Sequence, residues 1–134
     1  MNAISSDALR LQLVDDENDQ TIHGQTFAAM RYLLLGRIGL RRPVTYLDAT
    51  NLTVSDRSQW IKIARENQCE IEALYFDVPL ETCKQRNAAR HRAVPEIVLD
   101  EMAARLVPPT KDEGFSRIEV VKSPLGKPPA ASAN

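Results

Sequence analysis

One short segment limits the fold of this chain more than any other. Val44-Thr45-Tyr46-Leu47 is a β-prone run that stops at Asp48, as a buried strand does when it delivers a polar residue at its C-terminal end. Helical patterns lie on both sides of it. Upstream, from about Thr21, the apolar residues Phe27, Met30, Leu34 and Ile38 recur at spacings of three and four, which predicts a long amphipathic helix to Gly39, ended by Arg41-Arg42-Pro43. Downstream, Ser55-Asp56 is expected to cap a helix whose inner face carries Trp60, Ile63 and Ala64, and Ile71 to Val78 returns as a strand. Pro79 suits the first turn of a helix from about Leu80 to Arg90, Pro95 opens another through Leu106, and Arg117 to Val121 reads as a last strand. Strands alternating with helices over short connections imply an α/β domain with a parallel sheet.

The start of the chain adds a short helix opening at about Asp7, because Ser5-Ser6-Asp7 supplies capping side chains ahead of Leu9, Leu11 and Leu13. Asp15 to Asp19 reads as a solvated loop. With 134 residues, 43% of them hydrophobic, the chain has material for one core, expected over 1–122. The tail 123–134, rich in proline, alanine and serine, has no apolar period and is expected to be disordered. A net charge of −1 excludes the strongly basic balance of a general nucleic-acid binder, so any such contact must be a local patch. The longest greasy stretch, Tyr32 to Leu40, contains Arg37 and falls short of the roughly 20 residues of a membrane span. The N-terminus lacks the pattern of a signal peptide, so a cytoplasmic chain is expected. Cys69 and Cys83 have no metal-ligand spacing and are expected to be buried, reduced thiols.

Three stretches then carry chemistry. In Ser5-Ser6-Asp7-Ala8-Leu9-Arg10, an arginine follows an aspartate by three residues. A hydroxyl needs a carboxylate in reach to lose its proton, and an arginine fork matches phosphate oxygens; Asp7 as a plain helix N-cap is the other reading. In Tyr46-Leu47-Asp48-Ala49-Thr50-Asn51-Leu52, an acid sits at a strand end, where ligands of parallel sheets bind and where Mg²⁺ can be held through water. Thr50 and Asn51 read either as ligand-site residues or as a turn into the next helix. In Phe76-Asp77-Val78-Pro79 with Arg86-Asn87-Ala88-Ala89-Arg90-His91-Arg92, Arg86 and Arg90 are four apart, so on one helix face they can converge on a polyanion; a solvated charged face is the alternative.

Taken together, and with Pro108-Pro109-Thr110-Lys111-Asp112-Glu113-Gly114-Phe115, these stretches resemble the P-loop kinases related to polynucleotide kinase, over nearly the whole chain from Ile4 to Val121. The resemblance implies a parallel-sheet P-loop NTPase fold of the kinase kind, with ATP and Mg²⁺ as cofactors. It implies Asp7 as general base, Arg10 on an acceptor phosphate or the leaving charge, Asp48 on Mg²⁺, Thr50 and Asn51 beside the nucleotide, and Arg86, Arg90 and Arg92 as lid cations. By the same resemblance the acceptor is expected to be a hydroxyl, on a polynucleotide 5′ end or on a small molecule.

The chain contains no G-x-x-x-x-G-K-[ST], the loop whose amides and lysine cradle phosphates. In the family that loop lies upstream of the segment matching Ser5-Ser6-Asp7, so the resemblance implies a domain shortened by its first strand, P-loop and first helix. The chain alone is then expected to be inactive, and its uncovered sheet edges to favour self-association. The alternative is a non-catalytic remnant or subunit that binds a partner supplying the missing strand and loop.

Overall fold

The computed structural model of the chain describes residues 3–90 and 94–122, in two compact units, Met1–Thr50 and Asn51–Asn134.

The first unit begins with a strand that sequence periodicity did not reveal, β1 (Ala3–Ser5). Three residues are too few to show an alternation. Helix α1 (Ser6–Val14) follows at once, capped by Ser5, whose Oγ accepts the Ala8 N–H at 3.3 Å. Asp15 ends it in the left-handed region at φ 60°, its N–H donating to the Leu11 carbonyl. A 3₁₀ turn at Gln20–Ile22 then starts on the Asp19 carboxylate, which accepts the Thr21 N–H at 2.8 Å. The long helix α2 (His23–Gly39) therefore starts two residues later than its apolar period suggested. Thr26, Met30 and Leu34 form its buried stripe, while Phe27 and Ile38, expected inside, are half-buried on the flanks. The Thr26 hydroxyl donates to the Ile22 carbonyl at 2.9 Å, so its burial leaves no unpaired donor. At the far end Arg37 donates to the Val44 carbonyl and the Thr45 hydroxyl, both at 2.8 Å, and so ties the helix to the run entering β2 (Tyr46–Asp48). Strands β1 and β2 pair in parallel, with Ala3 opposite Tyr46, Ile4 opposite Leu47 and Ser5 opposite Asp48. The two helices supply the crossover that parallel strands require.

The second unit opens with α3 (Val54–Glu66). Its cap is Thr53 rather than the expected Ser55. Thr53 Oγ1 accepts the Asp56 N–H at 3.1 Å, and the Asp56 carboxylate accepts the Thr53 N–H at 3.2 Å, a reciprocal capping box that satisfies two donors at once. Trp60, Ile61, Ile63 and Ala64 face inward and build the core with Phe115 and Val121. Strand β3 (Glu72–Phe76) pairs in parallel with β4 (Arg117–Val121); α4 (Leu80–Ala88) and α5 (Glu96–Arg105) lie between them in sequence. Pro79 and Pro95 stand just ahead of these helices as N-caps, at φ −55° and −56°, which fixes the entry of each. The expected strands and helices thus form, as two parallel pairs. Cys69, expected to be buried, is exposed in the turn after α3, and Cys83 is half-buried; both are free. No described helix is long and apolar enough to cross a membrane. The tail from Ser123 lies outside the described residues.

Candidate functional site

Ligands of parallel sheets bind at the C-terminal ends of the strands. In the first unit that end is defined by Ser5 and Asp48, which are partners in register. Because α1 follows β1 without a loop, Asp7 and Arg10 project from the first turn and the next one, just beyond the strand end. Arg10 Nη1 donates to Asp7 Oδ1 at 3.1 Å; the Asp7 side chain is 67% exposed and that of Arg10 only 6%. Asp7 is not the cap, since Ser5 holds that position, so its carboxylate is available to Arg10 and solvent. The Arg10 Nε is buried without a hydrogen-bond partner among the described residues. A buried, charge-carrying donor left unpaired is costly, and an anion arriving beside it relieves that cost. The same guanidinium helps hold the Asp19 carboxyl below its usual value, after the larger effects of the Thr21 hydroxyl and N–H.

Asp48 is exposed at the end of β2, followed by exposed Thr50. Among the described residues no group of three or more His, Cys, Asp or Glu is placed to hold a metal ion. A divalent ion at Asp48 would therefore complete its shell with water and phosphate oxygens, the usual habit of Mg²⁺.

Asn51 opens the second unit at φ 45°, in the left-handed region that asparagine tolerates. Its Oδ1 accepts the Trp60 indole N–H at 3.1 Å, and its carbonyl accepts Arg57 Nη1 at 3.0 Å. Arg57 is the residue that sequence reasoning missed. It is buried, binds the Glu113 carboxylate through Nε at 2.8 Å and Nη2 at 3.1 Å, and donates to the Leu52 and Val107 carbonyls. Burial alone would raise the Glu113 carboxyl, but hydrogen bonds from Arg57 and the Thr110 N–H, together with the Arg57 charge, hold it below its usual value. One signal was present: Arg57 shares the spacing of Trp60, Ile61 and Ala64, a charge on the inner stripe of its helix. Beside this pair lies a cleft of about 140 Å³, lined by Val54, Ser58, Ile61, Lys62, Arg65 and Glu113; it is well under the roughly 300 Å³ of an ordinary ligand pocket.

Of the expected lid cations, Arg86 is half-buried on α4, but the helix stops at Ala88, so Arg90 stands exposed in the bend beyond it. The two do not share a helix face. Arg92 lies outside the described residues. Between the two arginines, buried Asn87 binds both the N–H and the carbonyl of Val94, which fastens the chain leaving α4 to the segment entering α5. Lys84 adds an ion pair to Asp100 at 2.8 Å, a contact that raises the lysine above its usual value.

An AAA domain family model matches residues 1–109. The chain is 31% identical over 80 residues to the bifunctional polynucleotide phosphatase/kinase of Schizosaccharomyces pombe, covering 56% of this chain and 20% of that protein. It is 30% identical over 98 residues to the human L-seryl-tRNA(Sec) kinase, covering 72% of this chain and 28% of that protein. The chain thus spans between a fifth and just over a quarter of the length of these relatives. With parallel strand pairs, helical crossovers and the matched segments agreeing, the chain belongs to the AAA domain family of P-loop kinases, a family of phosphotransferases.

Proposed function

We propose that the chain carries the acceptor site and lid arginines of an ATP-dependent kinase acting on a hydroxyl, with a polynucleotide 5′-hydroxyl end as first choice and a small hydroxyl compound as second. The observation that supports this reading is the register of Ser5 with Asp48, with Asp7 two residues beyond Ser5 in the first turn of α1. Both curated relatives are named for acceptors that are nucleic acids or are carried on one. ATP with Mg²⁺ would bring the transferable phosphoryl group and neutralise its charge. Asp7, exposed and oriented by Arg10, takes the proton of the attacking hydroxyl. Arg10 turns its unpaired Nε–H to an acceptor phosphate. Asp48 is a ligand for the metal ion. Thr50 lines the same strand end, and Asn51 shapes the turn beyond it, its side-chain oxygen being held by Trp60. Arg86, Arg90 and Arg92 bind phosphate oxygens.

A second reading is a non-catalytic subunit completed by a partner, which is equally compatible with these 134 residues holding no G-x-x-x-x-G-K-[ST]. Incubation with Mg·ATP and a 5′-hydroxyl oligonucleotide separates the two, with and without a polypeptide that supplies a strand and P-loop. The kinase reading expects no appreciable turnover alone, against roughly 1 s⁻¹ or more for an ordinary kinase, and phosphorylation once the loop is supplied. Stable complex formation without phosphorylation would establish the subunit.

A further inference from the structure

Helix α2 is buried along one side only. Opposite the stripe of Thr26, Met30 and Leu34 runs a second one, Gln25, Ala28, Tyr32, Leu35, Gly36 and Gly39, at spacings of three and four. Tyr32 is 79% exposed, Leu35 46%, and Leu40, just past the helix end, 77%. No residue of this outer stripe is charged.

The glycines have no explanation among the described residues. Glycine is less favourable than alanine within a helix. Gly114 is the one glycine with a positive φ among the described residues, and a Cβ built on Gly24, Gly36 or Gly39 would meet nothing within 4 Å. Bare backbone beside exposed tyrosine and leucine fits a surface on which another element packs closely.

Charge indicates what that element carries. Between Asp19 and Asp48 the sequence holds four arginines, Arg31, Arg37, Arg41 and Arg42, and no acid, in a chain whose net charge is −1. Arg37 is engaged with Val44 and Thr45. Arg41 and Arg42, at the C-terminal end of the stripe, are exposed and form no ion pair among the described residues. We propose that the outer face of α2 docks an amphipathic helix of a partner protein, with apolar side chains over Tyr32, Leu35 and Gly36 and acidic residues opposite Arg41 and Arg42. A nucleic acid fits less well, because phosphates need cations along the length of the contact and the stripe is uncharged up to its end. A second copy packed through α2 fits less well too, since α2 has no acid to offer these arginines.

The test titrates the full chain with labelled amphipathic peptides as long as α2, built of leucine and alanine, that differ only in bearing glutamates or lysines at one end. A single-stranded oligonucleotide and sedimentation of the chain alone are the other arms. The proposal expects the glutamate peptide to bind and the lysine peptide and oligonucleotide not to. Tyr32→Glu should weaken binding at least about tenfold, and Arg41→Glu with Arg42→Glu should reverse the preference between the two peptides. Gly36→Leu should abolish docking while the melting temperature holds or rises, because leucine is the better helix former and the space around the glycine is open; that rise separates a lost surface from a lost fold. Preference for the lysine peptide or the oligonucleotide, failure of the glutamate peptide to bind, or self-association that Gly36→Leu disrupts would each overturn the proposal.

Discussion

Each of the two units buries an arginine, and the two arginines have opposite fates. Arg57 in the second unit donates to a buried carboxylate through Nε and Nη2 and to three backbone carbonyls through Nη1. Arg10 in the first unit meets one largely exposed carboxylate and keeps an unpaired Nε. A fully paired buried charge describes architecture, because nothing remains for a ligand to do. A buried charge with a donor to spare, at the end of parallel strands, is the feature on which the proposed acceptor site rests. The comparison also explains why the Glu113 carboxylate, held by Arg57 and the Thr110 N–H, belongs to the frame of the second unit, while the largely exposed Asp7 carboxylate does not belong to the frame of the first.

If the contrast is right, the largest stability effect lies with Arg57. Arg57→Leu leaves the Glu113 carboxylate buried without its partner and should cost about 3–5 kcal/mol, read as a lower urea midpoint. The parent should show the same dependence through pH. The Glu113 carboxyl is depressed in the folded chain, so its contribution is fully present above its unfolded pKa of about 4.3 and is lost as pH falls through the lower folded value. In Arg57→Leu that acid-side loss should be blunted, and an unaltered acid limb would detach Glu113 from the account.

Gly114 sharpens the picture of the same unit at a smaller magnitude. It adopts φ +127°, and a Cβ there would stand 2.7 Å from Ile61 Cγ2. Gly114→Ala should therefore cost about 1–3 kcal/mol from strain and overpacking, while Gly36→Ala should cost nothing. Equal costs at the two positions would mean that neither backbone is held as described.

The first unit should show the smallest stability effects. Ser5→Ala removes the α1 cap and should cost about 1 kcal/mol. Asp7→Asn keeps an oxygen for Arg10 Nη1 and should change stability by no more than about 0.5 kcal/mol. The reverse order would return Asp7 to a capping role.

Much of the frame was legible because it rests on local signals. The apolar period of α2, the acid closing β2, the prolines ahead of α4 and α5, and the β-branched run of β4 each show in a short window. What was not legible depends on distance or on too few residues. β1 is three residues long. The Arg57–Glu113 pair joins positions 56 residues apart, and no period reports such a contact. Sequence offered Ser5-Ser6-Asp7 for the first cap, of which Ser5 is used, and Ser55 for the cap of α3, where Thr53 is used instead, because several Ser, Thr and Asp residues compete locally and only geometry selects one. Helix α4 ended two residues early, which removed the shared face of Arg86 and Arg90. The Asp7–Arg10 spacing was visible in the sequence, whereas the burial that distinguishes Arg10 was not.

The central claim is that the strand end beside Asp7 receives the acceptor hydroxyl. Its most direct test is single-turnover phosphorylation of a 5′-hydroxyl oligonucleotide by a form of the protein supplied with a P-loop, comparing parent and Asp7→Asn. Loss of a general base should lower the rate by about 10²–10⁴-fold with ATP affinity unchanged and the melting temperature near the parent's. A rate close to the parent's, in a variant that still binds ATP and melts normally, would contradict the account.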